Sequence, residues 1–98
     1  MMHPEHRKIN SEKDVYLKIS DILYFYKIDK ADRAKTMRRL NFLKMIIKRL
    51  FNNEELLKVI DVAKDLIRKY DKYAYDEFIK AYKVEDKVKE GSILKWIK

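Results

Sequence analysis

Between Ser11 and Lys83, apolar side chains recur every three or four residues, the spacing that lines up one face of an α-helix. Val15, Ile19, Ile22 and Tyr26 form the first stripe, widened by Tyr16 and Leu23, and predict a helix over residues 12–27. Met37, Leu40, Leu43, Ile47, Leu50 and Phe51 form the second, within one arc of about 140° on a helix over 30–51. Leu56, Ile60, Ala63, Ile67 and Tyr70 step 4-3-4-3 and predict a third helix over 54–72, a spacing that suits packing along another helix. Phe78, Ile79 and Tyr82 mark a shorter final helix over 73–83, with Phe25 and Tyr26 expected to close over the second helix and Tyr24 left outside.

The boundaries carry their own signals. Ser11 followed by Asp14 approximates a capping box, in which the side chains at the two positions satisfy each other's free amides. Asn53 followed by Glu54 and Glu55 places a cap and two acids at the positive end of the helix dipole. Asp29 is the expected cap of the second helix, with Asp32 in its first turn and Arg49 in its last.

The second helix has more than one apolar face. Phe42, Met45 and Ile46 lie opposite the core-facing stripe, so apolar residues nearly encircle the axis from Leu40 to Phe51. A helix of that kind is sandwiched between others or presents a second face to another chain. The pattern predicts an all-α protein: a small bundle of three to four helices around a long central helix over 30–51. One Gly, one Pro and few turn clusters leave no room for the tight turns of a β-rich fold. At 98 residues the chain is one domain, read as a flexible tail over 1–10, a helical domain over 11–90 and an apolar C-terminal tail over 91–98.

Charge is distributed unevenly. Residues 30–51 hold eight Lys or Arg against the single Asp32, a net +7 of the chain's formal +8. Like charges three or four apart, such as Lys35 with Arg38 and Arg39, disfavour an isolated helix by a few tenths of a kcal/mol. A pattern mildly unfavourable to folding points to another use. A basic stripe confined to one helix is the footprint of phosphate contact, and four of the six Arg lie in it. Arg33, Lys35, Arg38 and Arg39 are the first candidates for such contact; Lys30, Lys44, Lys48 and Arg49 are further ones.

These features define two functional classes. The first is a small basic nucleic-acid-binding protein, for DNA or RNA, contacting the phosphate backbone with little sequence specificity. A helix-turn-helix pairing of 12–27 with 30–51 fits poorly, because the Ile28-Asp29 joint lacks Gly and the second helix is long for base reading. The second is an accessory or assembly subunit of a larger complex, or a homo-oligomer, held through Phe42, Met45, Ile46 and Trp96. Trp96 sits between aliphatics in the C-terminal tail, as interface anchors do. Tyr70, Tyr73, Tyr75, Phe78 and Tyr82, interleaved with Lys72, Lys80 and Lys83, suit either a base-stacking platform or, as their helical spacing favours, a core-covering helix.

Other classes are disfavoured. The chain has no Cys, and its two His, His3 and His6, flank Glu5 in the polar N-terminal segment, a weak metal site. Nucleophilic or general acid–base chemistry has no evident residues, so neither an enzyme, a small-molecule substrate nor a cofactor is expected. No apolar run approaches the length of a bilayer span, and an intracellular setting without membrane contact is expected. The charged fraction of 41% and the absence of Gln follow the composition trend of hyperthermophile proteins, such as those of archaea and their viruses.

Overall fold

A computed structural model describes residues 8–84. Four α-helices follow in order: α1 Glu12–Lys27, α2 Arg33–Leu50, α3 Glu54–Tyr70 and α4 Ala74–Tyr82, with a 3₁₀ turn at Asp71–Tyr73. The class is all-α, as the periodicity predicts. Residues 1–7, with His3 and His6, and residues 85–98, with Trp96, lie outside the described residues.

The helices begin where local chemistry satisfies their first amides. Asp14 accepts from the backbone N–H of Asn10 at 2.8 Å and of Ser11 at 3.1 Å, which anchors the start of α1. Asn53 accepts from the Glu55 N–H at 2.9 Å and donates to Glu12 at 2.7 Å, tying the start of α3 to the start of α1. α2 starts three residues later than its composition suggests. Its cap is Asp32, which accepts from the Lys35 N–H at 2.7 Å. Asp29 is instead a left-handed residue closing α1, with φ 62°. Its N–H donates to the Tyr26 carbonyl and that of Lys30 to the Phe25 carbonyl, the crossed pair of a Schellman turn. An Asp tolerates this conformation better than most residues, which is why the chain stops here without a glycine.

The core contains the inward rows of all four helices: Val15, Ile19, Ile22, Leu23 and Tyr26; Leu40, Leu43 and Ile47; Leu56, Val59, Ile60, Ala63 and Ile67; Ala74 and Phe78. α1 and α3 occupy the middle, each packing on both other helices, whereas α2 packs on α1 and α3 but not on α4. Long and central in the chain, α2 is lateral in the bundle. No second layer of helix covers its far side among the described residues. Two expected core residues are displaced accordingly: Leu50, at the end of α2, is 59% exposed, and Tyr70, in the last turn of α3, is also exposed. Both lie in the last turn of their helix.

The corner between α3 and α4 is tied to the rest. The Tyr26 hydroxyl donates to the Asp71 carboxylate, and Arg33 donates to the Ile67 carbonyl at 2.8 Å while lying 3.9 Å from Asp71. Burial, then the bond to Asp71, raises the Tyr26 phenol above its ordinary value. Asp71 itself has φ 53° and ψ −122°, a region that suits glycine, at a cost of order 1–3 kcal/mol. The bonds around it hold it there.

Candidate nucleic-acid interface

The outer side of α2 follows from its inner side. Thr36, Leu40, Leu43 and Ile47 are buried; at about 100° per residue, the opposite face carries Arg38, Phe42, Met45 and Arg49, a 4-3-4 row along the helix. All four are exposed, Phe42 at 61% and Met45 at 54%. Lys35 flanks the row on one side and Lys48 on the other, both exposed. Lys35, Arg38, Arg39 and Phe42 line a shallow depression. Between Arg33 and Leu50 there is not one acid.

The predicted cations divide into groups. Among the described residues, Lys30, Lys35, Arg38, Lys48 and Arg49 take part in no ion pair. Lys30 belongs to the joint before α2, not to the helix itself. Arg33 is turned toward the end of α3 by Ile67 and Asp71, and Lys44 is paired with Asp61 of α3 at 2.9 Å. These two contribute to holding α2 on α3. Arg39 is half-buried at the rim. The surface open to an anion is therefore Lys35, Arg38 and Arg49, with Lys48 beside them.

The predicted apolar contacts divide similarly. Phe42 and Met45 stand on the outer face, and Ile46 is half-buried at its edge. The composition separates a basic first half from an apolar second half along the axis. Around the axis they interleave: Arg38 lies one turn before Phe42 and Arg49 one turn after Met45. The 4-3-4 spacing of these four residues was the available signal. Leu50 adds an exposed aliphatic that its place in the apolar stripe assigns to the core.

The aromatic-rich segment 70–82 forms a different surface. Phe78 is fully buried, and Tyr82 stacks at 4.9 Å from Phe78 and 5.8 Å from Tyr16. Burial raises both Tyr16 and Tyr82. Tyr24 is not free but half-buried, edge-on to Tyr75 at 5.3 Å. The core-covering role thus holds for most of the segment. Tyr70 and Tyr73 are exposed, and with Lys27, Asp71 and Lys72 they line a second depression. Its cations are already neutralised, Lys27 by Asp76 at 2.8 Å and Lys72 by Asp29. The hydrogen bond to Asp76, against partial desolvation, raises the Lys27 ammonium above its usual range. A polyanion would have to displace carboxylates here; at Lys35, Arg38, Lys48 and Arg49 it would meet none in an ion pair among the described residues.

No described helix is long and apolar enough to cross a membrane. Among the described residues no group of His, Asp and Glu has the arrangement of a metal site. Compared with known proteins, the chain matches no family model, and no curated sequence and no solved structure is significantly similar to it.

Proposed function

We propose that this protein binds nucleic acid, with the outer face of α2 lying against the phosphate backbone. The observation that carries this reading is the acid-free exposed row containing Arg38 and Arg49, flanked by Lys35 and Lys48, in which no cation is paired among the described residues. A folded surface normally intersperses both signs of charge. Cations left together attract a polyanion by releasing its condensed counterions, and arginine adds a planar fork matched to phosphate oxygens. Contacts of this kind position a protein without reading sequence.

The test is fluorescence anisotropy with labelled nucleic acids at about 50 and 200 mM salt, the range over which phosphate contacts lose affinity steeply. Micromolar or tighter binding that weakens with salt is expected. The Arg38→Ala, Arg49→Ala double variant weakens it for all sequences alike and flattens the salt dependence, by about one unit of slope per lost contact. Binding unchanged in that variant would remove the site from α2.

A second reading is favoured by the exposure of Phe42 and Met45, with Ile46 at their edge: an accessory subunit that docks this face on an acidic partner. It predicts no binding to any nucleic-acid probe at low salt, and salt-sensitive association with a protein surface instead.

A further inference from the structure

We infer that the α2 face takes single-stranded nucleic acid, with Phe42 as the platform on which one unpaired base stacks between the flanking cations. This rests on the phosphate reading and narrows it. Phe42 is 61% exposed and shares a depression with Lys35, Arg38 and Arg39. An aromatic ring left in water contributes little to the fold, and one set among cations is poorly placed for an ordinary apolar partner.

Charge limits what covers it. A second copy of this chain pairing through the same face would bring Arg38, Arg49 and Lys35 against their equivalents with no acid between Arg33 and Leu50 to offset them. Like charges juxtaposed at an interface oppose association strongly. The occupant must be anionic and must also offer a flat apolar surface. A duplex presents phosphates but keeps its base faces stacked inside. A single strand presents both, and an aromatic beside a basic groove binds it with little preference for sequence.

The dimensions agree. From Arg38 to Arg49 is eleven residues, about 16 Å along the axis. With Phe42 and Met45 between the two cations, the row has room for a short strand, about the four nucleotides of the smallest single-strand sites. Arg38 and Arg49 would hold phosphates at its ends, Phe42 one base, and Met45 the apolar edge of the next.

The experiment compares an oligothymidylate of about 12 nucleotides, inside the usual size range of single-strand sites, with a duplex of the same length. Wild type, Phe42→Ala, Phe42→Trp and Arg38→Ala are each titrated at low and moderate salt. Phe42→Ala is expected to weaken single-strand binding roughly five- to one-hundred-fold, to leave duplex binding and the salt slope as they were, and to be rescued by Phe42→Trp. The ring is exposed, so a circular dichroism melt equal to wild type separates this from unfolding. If Phe42→Ala leaves single-strand affinity intact while Arg38→Ala weakens it, stacking is overturned and the phosphate reading stands. A duplex preference lost in Phe42→Ala would make the ring a wedge between base pairs and overturn the single-strand assignment. Absence of binding to either probe at low salt would overturn both readings.

Discussion

Helices α2 and α3 run for 18 and 17 residues, pack against each other, and turn equivalent aliphatic rows inward, Leu40, Leu43 and Ile47 from one and Leu56, Ile60, Ala63 and Ile67 from the other. Their outer sides differ. α3 carries four acids and four bases, and its depression is lined by Lys58, Asp61, Val62, Asp65 and Arg68. Asp61 is taken by Lys44, and Asp65 by Arg68 at 4.0 Å and Lys69 at 3.5 Å. α2 carries seven bases and no acid between Arg33 and Leu50, with an aromatic and a thioether standing between its arginines. The fold asks the same of both helices, an apolar inner row. What differs between them is not required by that shared inner row, and that is where a ligand-binding surface is to be sought.

The contrast can be broken at four depths. If the inner rows are equivalent, Leu43→Ala and Ile60→Ala should each lower stability by about 2–5 kcal/mol in urea titration; a cost below about 1 kcal/mol at Leu43 would make α2 a loosely held appendage and not a member of the core. The outer rows should respond unequally. Reversing Arg38 and Arg49 to Glu should reduce nucleic-acid affinity at least about a hundredfold at low salt, whereas reversing Lys58 and Arg68 on α3 should change it by less than about threefold. Equal losses would mean that net charge and not the α2 row drives binding.

The Tyr26 tie sharpens the comparison at the point where α2 begins. Tyr26→Phe removes the bond to Asp71 and should cost about 0.5–1.5 kcal/mol. Its phenol is held above the ordinary value in the folded state, so the associated stability is fully present below about pH 10. It is lost as pH rises through the folded value. The wild-type melting temperature should fall in that alkaline window, and the Tyr26→Phe variant should show less of the decline. Smallest is the Lys44–Asp61 pair. As a partly exposed bridge it contributes about 0.2–1 kcal/mol, measurable by a double-mutant cycle with Lys44→Ala and Asp61→Asn. A null coupling there would release Lys44 to join the outer cations.

Periodicity made the four helices and most of the core legible, because the 3.6-residue repeat of Val15, Ile19 and Ile22 or of Leu56, Ile60 and Ala63 is a local property of the chain. Local too are the caps at Ser11 and Asn53. Composition does not fix the start of α2, because Asp29 and Asp32 are both good caps; the choice falls to the turn that closes α1, where Asp29 takes a left-handed conformation. The candidate site was legible in its residue types more than in its arrangement. Arg33 and Lys44 look like any other cations until Ile67 and Asp61, 34 and 17 residues further on, are brought beside them. Leu50 fits the inner stripe, but as the last residue of α2 it is left exposed.

The unpaired cations on the outer face of α2 have a thermodynamic consequence for the unliganded protein. Lys35, Arg38, Lys48 and Arg49, in no ion pair among the described residues, repel one another, and the compact state carries that repulsion. If the proposed function holds, a polyanion on the outer face would relieve that repulsion, and, where it favours the folded chain over the unfolded one, the melting temperature would become a function of ligand concentration. Simple salt acts in the same direction by screening. Under that proposal folding and occupancy would be linked, with α2 as the element through which each reports on the other.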